Sequence, residues 1–334
     1  MKLGTKFYVG IALLVAILLV PVAMYGLHLP SSTTSESTIA KSSYLAPHER
    51  ILVQDASEFT VPGTGRGCEC VTAGSGTSSD PFVISNWRLS ASSGDGISIA
   101  WTTVHFIILN VMVNATAAHD SIVLRGVANG TVQGSSFFGG GISLFNSNAI
   151  LIRNNTITGS RFGILLEASN GNTISGNRLQ HIEQVGIFVR ASDNLVDKNQ
   201  VTDGSFGGIN IDGMSGFGEN NRIAGNVVRG NPQYGVGLWQ AQNNSIEGNT
   251  VSENGGAGIM LTASCTKNLV ERNTVVNNGG DGILVDEQST NNKITMNTVT
   301  GNGNGTTSFD LHNESSDNLW LNNTFNTREP DTIG

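Results

Sequence analysis

The chain has 334 residues, of which 42 are glycine and only 13% are charged, and its formal net charge is −8. A negative chain in which lysine and arginine do not cluster argues against nucleic acid as a partner, because phosphate binding requires a basic surface. Small uncharged residues suit a tightly wound chain with many turns.

Residues 1–27 stand apart from the rest of the chain. Lys2 and Lys6 precede an apolar run from Phe7 to Leu27, which has about the length that spans a bilayer as a helix. The run is predicted to be an apolar helix that acts either as an uncleaved anchor, attaching the chain to a membrane through residues 7–27, or as a cleaved signal peptide. Both alternatives place the remaining chain outside the cytoplasm, secreted or anchored to the outer face of the cytoplasmic membrane.

The rest of the chain divides by composition and periodicity. Residues 28–50 are rich in Ser and Thr and are predicted to form a flexible linker. Residues 51–92 are predicted to form an N-terminal cap with the lead-in to the first coil. Residues 93–326 are predicted to form repeats, and residues 327–334 a C-terminal tail.

One motif recurs through the repeats: Asn, any residue, an apolar residue, two free residues, Asn, any residue and an apolar residue. Its seven copies begin at Asn172, Asn194, Asn221, Asn244, Asn268, Asn292 and Asn318. The steps between them are 22, 27, 23, 24, 24 and 26 residues, and a fixed period in this range predicts stacked repeats. The second Asn is predicted to point inward at a bend and to form a hydrogen-bonded ladder. Its positions are Asn177, Asn199, Asn226, Asn249, Asn273 and Asn297.

Between these copies, a Gly followed by Ile or Val opens a short alternating run. After Gly186, Ile187 and Val189 fall on one face while Phe188 and Arg190 fall on the other, a period of two that is typical of a strand. The opening Gly is predicted to permit a tight corner. Each repeat then holds three short strands, and about 23 residues form one turn of a parallel β-helix. The prediction is an all-β solenoid of about ten coils.

The Asn-x-Ile-x-x-Asn-x-Val motif, with Gly74 to Thr77 and Asp80 to Ile84 ahead of it, carries a resemblance. The sequence resembles the right-handed parallel β-helix superfamily of pectate-lyase-like folds, and within it the NosD-like and carbohydrate-binding or sugar-hydrolase β-helix repeats. The resemblance covers residues 74–326 and implies a substrate across the outward face of the first strand. It also raises a copper accessory function, which requires clustered His, Met or Cys. Because the six histidines are scattered, no metal site is predicted.

The outward face of the first strand can be read from the sequence as two columns. Four residues after each opening Gly or Ser come Ala100, Arg125, Phe145, Glu167, Arg190, Asp212, Trp239, Thr262, Asp286 and His312. Two residues earlier come Ser98, Val123, Ser143, Leu165, Phe188, Asn210, Gly237, Met260, Leu284 and Asp310. Aromatic, acidic and basic residues converge in the middle of these columns. The long loop after Asp212 is predicted to wall one side, and Tyr234 is predicted to lie in a turn beside it.

Two interpretations of this face stay open. In one, Phe145, Phe188, Asn210, Tyr234 and Trp239 bind a glycan, because aromatic faces stack on sugar rings while amides bind hydroxyl groups. In the other, the charged residues are only a ladder that covers an exposed sheet.

Catalysis by Glu167, Arg190 and Asp212 is a further hypothesis. The two acids lie two strand spacings apart, about 9.6 Å, near the separation used by inverting glycosidases. Arg190 between them favours the ionised carboxylates, so neither acid is an obvious proton donor. Asn210 and Asp212 resemble the Asn-x-Asp motif of polygalacturonases, whose other motifs are missing. Pectate lyases use Ca²⁺-binding acids and an arginine on this face, and Glu167, Asp212 and Arg190 match them in residue type only. The resemblance therefore leaves open whether Ca²⁺ is required.

The sequence therefore favours an extracytoplasmic β-helix protein that binds, and in one version processes, polysaccharide. The alternatives are a polysaccharide lyase or glycoside hydrolase, a structural or adhesive envelope protein without catalysis, and a NosD-like copper accessory protein. The oligomeric state is not predicted.

Three cysteines and several sequons complete the sequence features. Cys265 lies roughly 33 Å along the axis from Cys68 and Cys70, too far for a disulfide, and is predicted to be a small core residue. Cys68 and Cys70 are predicted to form a local disulfide, to form an intermolecular link or to be small cap residues. A metal site at this pair is disfavoured, because further ligands are lacking nearby. Glycosylation is an option at Asn114, Asn129, Asn154, Asn243, Asn304, Asn313 and Asn322.

Overall fold

The structure is a computed structural model that describes residues 45–59, 69–303, 307–330 and 333. The predicted anchor or signal segment, most of the linker, Cys68 and Asn304 lie outside these residues. Within the described ranges, no helix is both long enough and apolar enough to cross a membrane.

Three sheets of twelve strands each wrap around one core. Sheet 1 takes the first strand of each coil: Ile51–Val53, Ile97–Ala100, Ile122–Arg125, Ile142–Phe145, Ile164–Glu167, Val185–Arg190, Gly207–Asp212, Tyr234–Trp239, Ile259–Thr262, Ile283–Val285, Leu311–Asn313 and Arg328–Glu329.

Sheet 2 takes the second strand of each coil: Val71–Ala73, Phe82–Ser85, Phe106–Leu109, Gly130–Gln133, Leu151–Arg153, Thr173–Ser175, Leu195–Asp197, Arg222–Ala224, Ser245–Glu247, Leu269–Glu271, Lys293–Thr295 and Leu319–Leu321. Sheet 3 takes the third: Ala46–His48, Trp87–Ala91, Met112–Ala115, Ser136–Phe138, Thr156–Thr158, Arg178–Gln180, Gln200–Thr202, Val227–Arg229, Thr250–Ser252, Thr274–Val276, Thr298–Thr300 and Thr324–Phe325.

Neighbouring strands pair in parallel, except that Val71–Ala73 runs antiparallel to Phe82–Ser85. Ten successive three-strand coils follow one another from Ile97 to Phe325 in the described chain, which confirms the predicted all-β solenoid. Helical structure in the same residues is limited to 3-10 turns at Ala56–Phe59 and Met214–Gly216.

Two chain ends differ from their predicted roles. Ala46–His48 falls in the stretch predicted as linker, yet it pairs in parallel with Trp87 to Leu89 of sheet 3. Arg328–Glu329 falls in the predicted tail and pairs with Leu311 and His312 of sheet 1. In both places an added strand pairs with the backbone groups of a strand that would otherwise be an open edge.

The core consists of columns of apolar side chains, in which each coil places a similar residue directly above that of the preceding coil. In sheet 1 the inward column is Ile142, Ile164, Ile187, Ile209, Val236, Ile259, Ile283 and Leu311, each 0% exposed. Complete burial of one such side chain stabilises the fold by about 1.5–3 kcal/mol. Uninterrupted apolar stacking therefore accounts for the strict alternation of the first strands.

The predicted asparagine ladder is confirmed at the corner between sheets 2 and 3. Asn177 is typical: its Nδ2 donates to Asn199 Oδ1 at 2.9 Å and to the Ile152 carbonyl at 2.9 Å. Its Oδ1 accepts from the backbone N–H of Asn155 at 3.0 Å. One buried amide thus satisfies backbone groups in its own stack that the turn leaves without partners.

Two further ladders were not predicted. The first Asn of each motif forms one, from Asn172 through Asn194, Asn221, Asn244, Asn268 and Asn292 to Asn318. Another runs through Asn231, Asn254, Asn278 and Asn302 and ends on Asp310. Each Asn of this last ladder lies five positions after an Asn of the predicted ladder. The same spacing separates the two Asn residues of the motif, so the signal was present in the sequence.

The strand-opening glycines serve close packing rather than a corner conformation. None of Gly186, Gly235 and Gly258 has a positive φ. A Cβ added at Gly235 would lie 2.2 Å from Val251 Cγ1 and 2.6 Å from the Gly258 carbonyl oxygen. The predicted reason for these glycines was therefore wrong, because it is the chain beside them that leaves no room for a side chain.

Cys265 does not form a disulfide with Cys70, as the predicted distance between them along the axis required. Cys265 is free and buried, its Sγ donates to the Thr262 carbonyl, and burial raises the pKa of its thiol to about 12. Cys70 is buried and disulfide-bonded. Cys265 is thus an inert core residue, as predicted.

Candidate functional site

The predicted outward column of sheet 1 is present in register. Phe145 pairs with Glu167, Glu167 with Arg190, and Asp212 with Trp239. Arg190 and Asp212 directly follow the paired residues Val189 and Ile211. We call Phe145, Glu167, Arg190, Asp212 and Trp239 the sheet-1 column.

Arg190 divides its charge unequally between the two acids. Its Nη2 and Nε lie 2.7 Å and 3.2 Å from Asp212 Oδ2, whereas its Nη1 lies 3.5 Å from Glu167 Oε1. The other oxygen of Asp212 accepts from the backbone N–H of Met214 at 2.9 Å. Asp212 is 7% exposed, while the side chain of Glu167 is 45% exposed. Of the two acids, Glu167 is the one that can meet a ligand.

Tyr234 lies beneath this surface rather than in a turn. It is the first residue of the strand Tyr234–Trp239 and is 8% exposed, and its hydroxyl donates to Asn210 Oδ1 at 3.4 Å. Burial and the charge of Asp212 raise the pKa of the phenol. A Cβ at Gly207 would lie 2.4 Å from Tyr234 Cζ, and one at Gly237 would lie 3.1 Å from its Cε2. Two glycines on adjacent strands therefore make room for one neutral ring.

Two aromatic rings on this face lie beside guanidinium groups. The Arg125 guanidinium carbon lies 4.2 Å from the Phe145 ring centroid, and that of Arg190 lies 5.4 Å from the Phe188 centroid. Phe162, which was not predicted, lies 5.7 Å from Phe188 between ring centroids. Its position directly before the opening Gly163 repeats that of Tyr234 before Gly235, and that repetition was the signal available. Cations thus hold the rings in place along the face.

The loop after Asp212 is attached to the site. Its 3-10 turn Met214–Gly216 begins with Met214, whose N–H donates to Asp212. Further along the loop, the Gly218 N–H donates to the Ala191 carbonyl at 3.2 Å. Met214 itself is 49% exposed. The loop therefore holds Asp212 in position and leaves an exposed thioether at the margin of the column.

In the last coil the predicted columns are wrong by two residues. Leu284 pairs with His312, so His312 belongs to the second column. Asp310 precedes the strand and accepts from the N–H and the Nδ2 of Asn302. The carboxylate ends the third ladder where an Asn would continue it, and the strand begins at the next residue, Leu311.

His312 has acidic neighbours on both sides. Its Nδ1 lies 3.2 Å from Asp281 Oδ2 and its Nε2 lies 3.8 Å from Glu314 Oε1. Asp281 raises the pKa of this imidazole, although partial burial opposes the effect. The two carboxylates meet different ring nitrogens, so their oxygens do not converge on one point.

The described residues offer no group of three or more His, Cys, Asp or Glu side chains that could hold a metal ion. Between Glu167 and Asp212, the space that a Ca²⁺ ion would need is taken by the Arg190 guanidinium. The donor set of the sheet-1 column therefore does not fit Ca²⁺.

Comparison with solved structures agrees with the fold. The chain is similar to the A-module of the Azotobacter vinelandii mannuronan C-5 epimerase AlgE6, with a TM-score of 0.57, 14% identity, and coverage of 74% of this chain and 84% of that chain. It is similar to a variant of the periplasmic alginate epimerase AlgG, with a TM-score of 0.56, 14% identity, and coverage of 83% and 84%.

The receptor-binding protein of bacteriophage Det7, a tailspike, gives a TM-score of 0.50 at 10% identity and covers 76% of this chain and 52% of that chain. At these identities the likeness shows the fold alone. No curated protein matches the sequence.

Two family models match the sequence. The model described as right handed beta helix region matches residues 163–325, and the model described as periplasmic copper-binding protein (NosD) matches residues 73–240. The second match covers half of the chain and includes the sheet-1 column up to Trp239. The protein therefore belongs to the NosD family and is built as a right-handed parallel β-helix.

Proposed function

We propose that this protein binds polysaccharide outside the cytoplasm, on the outward face of sheet 1. The observation that carries the proposal is the sheet-1 column itself. Five consecutive strands present an aromatic ring, an acid, a base, an acid and a second aromatic ring in one register. Phe145 and Trp239 stand at the two ends, both half-buried, so that part of each ring remains free to stack on a sugar.

The charges between the rings leave one accessible anion. Arg190 is held by Asp212, and Asp212 has a donor on each carboxylate oxygen. Glu167 contacts Arg190 only at 3.5 Å and keeps lone pairs for the hydroxyl groups of a sugar. Asn210 and Tyr234 act from below by fixing the surface, since both are nearly buried.

The comparisons support the substrate class and the location. The neighbour AlgE6 is a mannuronan C-5 epimerase and the neighbour AlgG is a periplasmic alginate epimerase, and the NosD family is described as periplasmic. We extend these properties of the neighbours to this chain as a glycan partner and an extracytoplasmic location. Whether residues 7–27 anchor it stays a prediction.

A copper function has less support. Copper requires soft or imidazole donors that converge. Among the histidines that the structure describes, His312 meets two carboxylates on opposite ring nitrogens, and the described residues provide no three-donor cluster. The donor set here does not fit the copper named by the family description.

A lyase or hydrolase is the second candidate, with Glu167, Arg190 and Asp212 as catalytic residues. The exposure of Glu167 beside Arg190 favours it, because this acid could reach a sugar whose developing charge the guanidinium stabilises. Asp212 would serve as the positioning residue for Arg190. Binding without cleavage needs only the accessible groups and is therefore preferred.

The test is a polysaccharide panel that includes alginate, presented to the full chain with and without Ca²⁺. Retention and released product are both measured. We expect retention that Trp239→Ala reduces at least tenfold, with no product. Product that Glu167→Gln abolishes would instead establish the lyase or hydrolase.

The matched control is Phe138→Ala. Phe138 is 39% exposed on sheet 3, so its loss removes a similar ring from another face and is expected to leave retention unchanged. Equal retention by Trp239→Ala and the wild-type chain, or no retention at all, would contradict the proposal and favour a structural or adhesive protein.

A further inference from the structure

Trp101 is the most exposed large apolar side chain among the described residues, at 70%. It directly follows the sheet-1 strand Ile97–Ala100, and its N–H donates to the Arg125 carbonyl at 2.8 Å. A tryptophan left in water forfeits most of the free energy that burial of its ring would give. Packing therefore does not explain its presence.

The backbone of Trp101 is also unusual. Its φ is +51°, in the left-handed region. The residues that follow the outward column in four other coils share this conformation, with φ of +60° at Gly126, +49° at Asn146, +48° at Ala168 and +50° at Gln240. The turn imposes it, and Gly, Asn and Ala tolerate it better than a bulky side chain does. Trp101 is the one large ring at this turn position in these coils.

The position of the ring is fixed by the next coil. A Cβ added at Gly126 would lie 2.4 Å from Trp101 Cε3 and 2.6 Å from its Cζ3. The six-membered ring thus rests against Gly126, and the rest of the indole faces solvent. A ring that is held from one side and free on the other is preorganised to stack with a partner.

Trp101 continues the line of the sheet-1 column. Gly126 follows Arg125, whose guanidinium lies 4.2 Å from the Phe145 ring centroid. The rings at Trp101, Phe145 and Trp239 therefore occupy the first, third and seventh of the ten coils. Six strand spacings separate the first from the last, about 29 Å along the axis.

We propose that Trp101 is a distal sugar-stacking subsite, so that the ligand is a long, extended polysaccharide chain lying parallel to the coil axis from Trp101 to Trp239. The inference rests on the proposed function and adds to it a direction and a minimum length. A short oligosaccharide would fill the sheet-1 column without reaching Trp101.

The test measures affinity against chain length. Oligosaccharides of two to twelve units are prepared from the polysaccharide that the full chain retains, and Kd is measured by calorimetry. We expect Trp101→Ala to weaken binding of the longest oligosaccharides about 3- to 10-fold, as the loss of one aromatic stack predicts. Binding of the shortest should not change. Trp101→Phe should restore part of the loss.

Trp101→Asn separates binding from folding. Asn tolerates the left-handed conformation, so this variant should be at least as stable as the wild-type chain in urea while it binds long chains as weakly as Trp101→Ala. Phe138→Ala again serves as the control on sheet 3.

The outcomes distinguish the two proposals. If Trp239→Ala abolishes retention but Trp101→Ala binds oligosaccharides of every length like the wild-type chain, the subsite is overturned and the binding face stands. If Trp101→Ala weakens short and long chains equally, the axial arrangement is overturned. If the wild-type chain retains no polysaccharide, both proposals are overturned.

Discussion

Two sets of residues are stacked along the coil axis at the same spacing, and they differ in the side chains that they contain. In the asparagine ladders, the same side chain recurs in coil after coil, buried and bonded to its copies. In the sheet-1 column, each coil contributes a different side chain, and the register is equally strict. The repeated asparagines satisfy hydrogen bonds that every coil needs at its corner. The residues of the sheet-1 column differ from coil to coil, which indicates a surface with a role other than closing the coil.

The ladders should therefore be the most sensitive part of the fold. Asn226 accepts from the N–H and Nδ2 of Asn199 and donates to the Val196 carbonyl and to Asn249 Oδ1. Asn226→Ala leaves several buried groups without partners and should lower the free energy of unfolding by about 3 kcal/mol or more. Urea unfolding of the full chain measures it.

Thr250→Ala is the control for the ladder variant Asn226→Ala. Thr250 is exposed on sheet 3 beside the ladder residue Asn249, so its truncation should change stability by less than about 0.5 kcal/mol. Equal urea midpoints for the two variants would show that the ladder is not what closes the coil.

The sheet-1 column should show a smaller and unequal effect. Arg190→Met removes both donors from Asp212 Oδ2, which is nearly buried, and should destabilise the fold by roughly 1–3 kcal/mol. Glu167→Gln removes only an exposed contact and should cost about 0–1 kcal/mol. Adding Asp212→Asn to Arg190→Met should recover part of the loss in a double-mutant cycle. Equal costs for Arg190→Met and Glu167→Gln would contradict the unequal pairing of Arg190.

The last coil should add a modest pH dependence. Asp281 raises the pKa of His312 above 6.5 in the folded chain, so protonation stabilises the fold. This contribution is complete below the unfolded-state value of about 6.5 and is lost as the pH rises through the folded-state pKa. The urea midpoint of the wild-type chain should fall over that window relative to His312→Gln. Parallel pH profiles would contradict the Asp281 contact.

The sequence predicted the fold well because each coil repeats the same solution. The apolar columns and the Asn177 ladder follow from period alone, and the two ladders through Asn172 and Asn231 were missed although the same five-residue spacing marks them. Asp310 and His312 were assigned to the wrong positions in the outward columns for a physical reason. In the sequence, an Asp that ends a buried ladder cannot be distinguished from an Asp on the outward face of a strand.

The candidate site could be predicted only in outline. The sequence placed Glu167, Arg190 and Asp212 in one column, but it could not show that Arg190 favours Asp212, because the N–H of Met214 comes from a loop outside the repeat. The burial of Tyr234 depends on space beside its ring, which exists because Gly207 and Gly237, on adjacent strands, have no side chains. Phe162 and Trp101 lie outside the strands, and the alternation that predicted the outward columns does not extend to them.

Hydroxyl-radical footprinting of the full chain, with and without the retained polysaccharide, tests the central claim most directly. Our account predicts that polysaccharide protects the rings of Phe145 and Trp239 on sheet 1 and leaves the more exposed ring of Phe138 on sheet 3 unprotected. Protection of Phe138 with unchanged oxidation of Phe145 and Trp239 would contradict it and move the binding surface to another face of the β-helix.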